Sequence, residues 1–118
     1  LENFYNLIKN GRMRPIVGTL LHSLGIHVIA DATSEGTIHV ADKARGVNKT
    51  YRAITALMKA SKDCTDAEVF ISHCENLEGA MALKRQILAD LPVNRVALLS
   101  CPGLTSFYAM EKGLIVGY

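Results

Sequence analysis

Apolar positions recur with two different periods along this chain, and the two periods predict alternating strands and helices. Residues 68–73 and 95–99 are short runs rich in β-branched and aromatic side chains, which is typical of strands. Residues 76–91 lie between them and carry apolar side chains three or four positions apart, which predicts a helix that Pro92 ends. Strand, helix and strand together predict a βαβ crossover in which the two strands are parallel and buried on both faces.

A hairpin precedes this crossover in the pattern. Residues 26–32 and 37–41 are β-like runs that flank a polar loop, and Gly36 is expected to adopt a left-handed conformation in that loop. If Thr33 lies opposite Gly36, the pairing places His27 opposite Asp42. The sequence therefore predicts an antiparallel hairpin with an ion pair at its far end.

The remaining periodic segments predict helices and one last strand. The helices are expected over residues 1–10, from Pro15 to Leu24, over residues 48–61 with Asn48 as the N-cap, and over residues 103–109, and the strand over residues 113–118. The order of elements predicts an α/β fold with a mixed β-sheet on which the helices pack. Because the connections are too short to hold a boundary, residues 1–118 are expected to form a single domain.

Composition and charge narrow the class of protein. A chain of 118 residues, of which 49% are hydrophobic, can bury one core. Thirteen basic and eleven acidic residues leave a formal charge of +2, which is too small to indicate a nucleic-acid partner, and no apolar run is long enough for a membrane span. Three cysteines without a Cys-x-x-Cys motif fit a reducing compartment, so we expect a cytoplasmic protein. The chain starts at Leu1 inside a helical pattern, and we expect it to be a piece of a longer protein cut at a domain boundary.

Thiol, imidazole and hydroxyl groups gather at the predicted carboxyl ends of the parallel strands, where ligands bind in sheets of this kind. His73, Cys74 and Cys101 could form a cysteine nucleophile with a histidine base or a zinc site, or the cysteines could be small apolar fillers. Thr105 and Ser106 could hold an anion at the start of the last helix or could simply cap it. The metal and nucleophile interpretations lack their usual spacing, and no phosphate-binding motif is present, so we expect no metal and no cofactor.

Two groups of basic residues could contact anions or partners. Arg12 lies in a loop between two predicted helices, where it could pair with a carboxylate or phosphate or could lie in solvent. The second group follows the hairpin and comprises Lys43, Arg45, Lys49 and Arg52. It could dock an acidic partner surface or a phosphate-bearing ligand, or it could only keep the domain soluble. Arg45 stands out because we expect it in a turn.

Several segments resemble the DegV family of bacterial fatty-acid-binding proteins. Residues 6–13 are similar to the L-x-x-L-x-x-x-G-R-I segment of that family. The agreement continues, in order, through residues 17–21, Gly25-Ile26, Glu35-Gly36, the basic residues 43–46 with Lys49, and the strand 69–73 followed by Glu75 and Ala80. The resemblance therefore covers nearly the whole chain.

This resemblance implies a function. DegV-family proteins have two α/β domains, and residues 1–118 resemble the carboxyl-terminal one, so the amino-terminal domain is absent from this chain. The family holds a long-chain fatty acid between the domains, and several members present its carboxylate to a fatty acid kinase catalytic subunit. On this interpretation the protein is a lipid-binding carrier and not an enzyme, and the phosphorylation belongs to its partner. The rival hypotheses are a cysteine- and histidine-dependent enzyme and an interaction domain without a ligand.

Roles for individual residues follow from the residue chemistry above and, for Tyr108, from the resemblance. The expected ligand-binding residues are Arg12, Thr105, Ser106 and Tyr108, and the expected partner-binding residues are Arg45 and Lys49. The family usually carries a histidine near its end that helps to bind the carboxylate, and Tyr108 falls about where that histidine would be. A phenol can donate one hydrogen bond but carries no positive charge at neutral pH, and Glu111 nearby would oppose an anion.

Overall fold

The computed structural model of this chain describes residues 5–11 and 25–118. Its helices are α1 (Tyr5–Lys9), α2 (Val47–Ser61), α3 (Leu77–Asp90) and α4 (Gly103–Ala109), and its strands are β1 (Ile26–Ala32), β2 (Ile38–Arg45), β3 (Glu68–His73), β4 (Arg95–Ser100) and β5 (Leu114–Gly117). The helix predicted from Pro15 and the candidate ligand residue Arg12 lie outside the described residues. Within the described ranges, no helix is long and apolar enough to cross a membrane.

Strand β3 is the centre of a three-stranded sheet with the order β4-β3-β5. Its pairing with β4 is parallel and ends with His73 opposite Ser100, and its pairing with β5 is antiparallel. The sheet is therefore mixed, and β3, α3 and β4 form the predicted βαβ crossover.

Helices α2 and α3 cover one face of this sheet. Helix α3 presents Ala80, Leu83 and Ile87 at helical spacing, and all three side chains are fully buried. They belong to one core cluster with Val69 and Ile71 of β3. Full burial of a leucine, isoleucine or valine side chain contributes about 1.5–3 kcal/mol, so this layer is the main source of stability.

The opposite face of the sheet is bare in the described part of the chain, and the prediction of strands buried on both faces is wrong. Phe70, Leu99 and Ile115 are 40%, 48% and 41% exposed. They lie on this face because side chains alternate along a strand, and Val69 and Ile71 point toward the helices. Since α2 and α3 pack on one side only, the described chain leaves an apolar sheet surface uncovered.

Strands β1 and β2 form a separate antiparallel hairpin. His27 lies opposite Ala44, so the predicted pairing of His27 with Asp42 is wrong. The observed register differs from the predicted one by two residues. One of the two arises in the turn, where the Thr33 N–H donates a hydrogen bond to the Thr37 carbonyl oxygen at 2.9 Å. A β-bulge in β2 adds the other residue. The two differences add up to an even number, so the far end of the hairpin keeps the predicted alternation of faces.

Helix α2 is capped by Gly46, and the prediction of Asn48 as its N-cap is wrong. Gly46 has φ 87°, a conformation that favours glycine. Its carbonyl oxygen accepts hydrogen bonds from the N–H and the hydroxyl of Thr50 at 3.1 and 3.0 Å. The same hydroxyl lies 3.0 Å from His27 Nδ1, which attaches the start of α2 to β1. Arg45 is the last residue of β2 and does not lie in a turn as predicted.

A buried hydroxyl joins α2 to α3. Thr55 donates a hydrogen bond to Asp90 Oδ2 at 2.6 Å, and Gln86 donates to the same oxygen at 2.7 Å. Both hydrogen bonds favour the ionised carboxylate and lower the pKa of Asp90 below its usual value, the bond from Thr55 contributing most. The carboxyl end of α3 is thereby fixed against the middle of α2.

Candidate functional site

Hydrogen bonds gather two loops around the carboxyl end of β3. The Cys74 N–H donates to the Gly113 oxygen at 3.0 Å, and the Lys112 N–H donates to the Cys74 oxygen at 2.9 Å. The Asn76 amide nitrogen donates to the Lys112 oxygen at 2.9 Å, while its amide oxygen accepts from the Gly79 N–H at the start of α3. The loop after β3 and the loop after α4 are therefore held together at the sheet edge where ligands gather in α/β folds.

Three non-glycine residues in these two loops have left-handed backbones. The φ angle is 49° at Glu75, 58° at Met110 and 63° at Lys112. Each such conformation costs on the order of 1–3 kcal/mol and persists only where surrounding contacts fix it. Residues of this kind cluster at functional sites, so their presence supports this edge as the candidate site.

The geometry gives no support to a nucleophile built from Cys101 and His73. His73 lies on the side of the sheet that faces the helices and accepts a hydrogen bond from the Asn76 N–H at 3.4 Å, whereas Cys101 falls on the opposite side by alternation. Burial, and secondly the neighbouring Cys74, raise the pKa of the Cys101 thiol, which lowers the fraction of reactive thiolate. Within residues 5–11 and 25–118, no group of three His, Cys, Asp or Glu side chains could hold a metal ion.

The two hydroxyl residues predicted to contact the ligand lie on α4 and are half-buried. The Ser106 hydroxyl donates to the Gly103 oxygen inside the helix at 2.6 Å. Because a hydroxyl has a single proton, Ser106 would have to give up this bond in order to donate to a carboxylate. The ligand-binding roles of Thr105 and Ser106 stay predictions.

Tyr108 lies where α4 meets the hairpin. Its half-buried side chain packs against a second, smaller apolar cluster around Val28 of β1. Its ring meets the ring of Phe107 edge to face, with centroids 5.2 Å apart. The carbonyl oxygen of Phe107 accepts a hydrogen bond from the Asn6 side chain of α1 at 2.8 Å. Tyr108 therefore belongs to a different part of the molecule from the core of the main sheet, and its role as a ligand contact stays a prediction.

The structure brings the predicted basic residues together at the junction of β2 and α2. Arg45 ends β2, Lys49 lies in the first turn of α2, and both are exposed. Lys43 is two residues before Arg45 and lies on the same side of the strand. The junction is a positively charged surface. It is built from β2 and α2 and includes no residue from the carboxyl end of β3.

A groove of about 1040 Å³ lies between the hairpin, α2, α3 and β5. Its wall includes Val28, Tyr51, Ala82 and Tyr108. We assign this groove no ligand, because residues 12–24, which connect α1 to β1, lie outside the described part of the chain.

Comparison with known proteins decides the family. The family model described as "Uncharacterised protein, DegV family" matches residues 1–115. The chain belongs to the DegV family. A DegV domain-containing protein of Streptococcus pneumoniae is 33% identical over 114 residues, which cover 96% of this chain and 40% of that protein. The family predicted from the sequence is thus confirmed.

Two solved DegV structures share the fold. A DegV family protein from Eubacterium eligens loaded with heptadecanoic acid has a TM-score of 0.90 and 31% identity, covering 98% of this chain and 42% of that one. The fatty acid kinase (Fak) B3 protein of Streptococcus pneumoniae loaded with linoleic acid has a TM-score of 0.87 and 33% identity, covering 100% of this chain and 42% of that one. The α/β fold class is confirmed, and the chain spans about two fifths of the length of these relatives.

Sequence analysis missed the residues that shape the edge at β3, namely Asn76, Lys112 and Gly113. Asn76 carried a local signal, because an asparagine directly before a helical apolar pattern is a preferred N-cap. Lys112 and Gly113 carried none, since they act through hydrogen bonds to Cys74 and Asn76, in a loop that is distant in the chain.

Proposed function

We propose that the full-length protein binds a long-chain fatty acid and that this chain is its carboxyl-terminal domain. The observation that carries the proposal is that two DegV structures, 31% and 33% identical to this chain, are loaded with heptadecanoic acid and linoleic acid. A slot between two domains suits such a ligand, because an apolar site needs only a few polar groups to orient one carboxylate.

The uncovered sheet surface supports a site that needs a second domain. Phe70, Leu99 and Ile115 form an apolar face beside the carboxyl end of β3. Parallel strands normally have both faces covered, and the described part of this chain covers one. We assign the second cover to the rest of the protein and place the carboxylate near α4, with Tyr108 and the hydroxyls of Thr105 and Ser106 as its contacts from this domain, together with Arg12.

We assign the phosphoryl-transfer chemistry to a partner, a fatty acid kinase catalytic subunit, and no catalytic role to this chain. The similarity to the Fak B3 protein supports this assignment. The positive junction of β2 and α2, with Arg45 and Lys49, is the proposed contact surface for that partner, because exposed charges at the rim of an interface steer association. Free thiols at all three cysteines are compatible with the cytoplasm as the proposed location.

Mass spectrometry of lipids extracted from the purified full-length protein tests the proposal. We expect fatty acids in a ratio near one per protein, released only after the protein is denatured by solvent. A protein that contains no lipid and binds no added fatty acid would support the interaction-domain hypothesis instead. Turnover of an added substrate through Cys101 would support the enzyme hypothesis.

A further inference from the structure

Helix α4 carries three of the proposed ligand contacts, and its carboxyl end is held from outside the helix. The helix ends at Ala109, because Met110 has φ 58° and turns the chain away. The Met110 N–H still donates to the Ser106 oxygen at 2.9 Å. The Phe107 carbonyl is among the last four of the helix, which the regular pattern of helical hydrogen bonds leaves without a partner. This carbonyl therefore needs a donor from elsewhere.

The side chain of Asn6 in α1 supplies that donor. Its amide nitrogen donates to the Phe107 oxygen at 2.8 Å, although the two residues are 101 positions apart in the chain. Ile8, on the same helix, packs against Val28 in the apolar cluster that also includes Tyr108. Helix α1 and the end of α4 are therefore joined by a hydrogen bond and by a shared apolar cluster.

The hydrogen bond from Asn6 acts on the peptide group that precedes Tyr108. Because a peptide group is planar, the Phe107 carbonyl and the Tyr108 nitrogen move as one unit. The directions open to a helical side chain are few, and the Tyr108 ring also meets the Phe107 ring edge to face, with centroids 5.2 Å apart. A fixed peptide group and a fixed ring together determine where the Tyr108 hydroxyl lies.

We propose that Asn6 is a positioning residue for the ligand carboxylate and that it acts through Tyr108. This inference rests on the proposed function, in which the Tyr108 hydroxyl contacts the carboxylate of the fatty acid. The strength of a hydrogen bond falls steeply when its distance or angle departs from the optimum, so a small shift of the end of α4 weakens this contact. Asn6 itself needs no contact with the ligand. Its effect on binding should therefore disappear when the Tyr108 hydroxyl is removed.

A double-mutant cycle in the full-length protein tests this coupling. The Kd of a fluorescent fatty acid is measured for the wild type, Asn6→Ala, Tyr108→Phe and the double variant, at a temperature at which circular dichroism shows each to be folded. Asn6→Ala should raise the Kd about 3- to 30-fold while the Tyr108 hydroxyl is present, since residues in one network of contacts couple at this level. In the Tyr108→Phe background the same substitution should change the Kd by less than about twofold.

Two further variants separate positioning from a general effect on α1. The Asn10 side chain donates to the Asn6 oxygen at 2.8 Å, a local hydrogen bond at the end of α1. Asn10→Ala should therefore leave the Kd within about twofold of the wild-type value. Asn6→Leu keeps the approximate size of the side chain and has no donor. It should reproduce both results expected for Asn6→Ala, even if the alanine variant does not fold.

Three results would contradict the inference, and they are distinguishable. An equal loss of affinity in the two backgrounds, or no loss in either, would overturn the positioning role of Asn6. An unchanged Kd for Tyr108→Phe would overturn it as well and would leave fatty-acid binding standing. A wild-type protein that binds no fatty acid would overturn the proposed function itself and this inference with it.

Discussion

Tyr108 is the residue whose proposed role can be tested by the smallest change. Tyr108→Phe removes a hydroxyl and leaves the ring that packs against the Val28 cluster. If the hydroxyl donates to the fatty-acid carboxylate, its loss should weaken binding by about 1.5–3 kcal/mol, or roughly 10- to 150-fold in Kd. Titration of a fluorescent fatty acid into the full-length protein measures this change.

The matched control for that titration is Tyr118→Phe. The Tyr118 hydroxyl lies 2.6 Å from the Ser61 hydroxyl, outside α4. Tyr118→Phe should leave the Kd for the fatty acid unchanged. An unaltered Kd for Tyr108→Phe would remove Tyr108 from the ligand site while leaving the proposed function standing.

Position 113 requires glycine because the neighbouring backbone leaves no room for a side chain. A Cβ atom at this position would lie 2.1 Å from the backbone oxygen of Ala109. Gly113→Ala should therefore push the loop before β5 away from α4 and destabilise the protein by about 1–3 kcal/mol. Urea unfolding of the full-length protein measures the effect.

Gly117 offers the control for this substitution in the neighbouring strand. A Cβ there would meet nothing within 4 Å. Gly117→Ala should change the free energy of unfolding by no more than about 0.5 kcal/mol. Equal effects of the two substitutions would mean that the close approach to Ala109 does not exist in solution.

Among the elements, the positive charge at the junction of β2 and α2 predicts an effect on the rate of association with the kinase. Arg45→Ala should leave fatty-acid binding and thermal stability intact and should slow association with the cognate kinase, because rim charges act mainly on the encounter. The difference from the wild type should shrink as ionic strength rises, since salt already screens the wild-type attraction. Stopped-flow association at several salt concentrations measures both effects.

Arg95→Ala is the control for the loss of one positive charge. Arg95 is exposed on β4 and pairs with Glu68 at 3.2 Å, away from the junction. Arg95→Ala should leave the rate of association with the kinase close to the wild-type value. If Arg45→Ala abolishes lipid binding with the fold intact, Arg45 belongs to the ligand site and the assignment to the partner fails.

The elements were also the level at which sequence patterns were most informative. The span of β3 and the parallel pairing of β3 with β4 follow from local apolar periods and from proline and glycine positions, and Gly36 has φ 74° as expected. The hairpin register could not be predicted, because the bulge depends on which side chains meet across the strands. The bare sheet face could not be predicted either, because a pattern of apolar residues does not indicate whether the cover is supplied by the same part of the chain.

At the scale of the whole molecule, the last prediction concerns how tightly residues 1–118 bind a fatty acid, and it follows from the greater length of the relatives. The match covers 42% of each of the two solved chains, and in the proposed two-domain slot residues 1–118 supply one of the two walls. Leaving about four CH₂ groups of the acyl chain in water costs about 3 kcal/mol, which is more than a hundredfold in Kd. The 118-residue chain should therefore bind a fluorescent fatty acid at least that much more weakly than the full-length protein. Comparable Kd values for the two would mean that the slot does not need a second domain.

The two hydrogen bonds of one amide side chain have a consequence for deamidation. Asn76 uses its oxygen to cap α3 and its nitrogen to hold the Lys112 carbonyl, so each atom of the amide has a fixed task. Asparagine is a thermolabile residue, and on ageing it loses ammonia and becomes aspartate. The new carboxylate would still cap α3, where the helix dipole favours a negative charge. It would, however, turn an oxygen toward the Lys112 oxygen and repel it, so chemical ageing would remove one hydrogen bond from the loop before β5, while α3 and the two backbone hydrogen bonds between that loop and Cys74 stay intact.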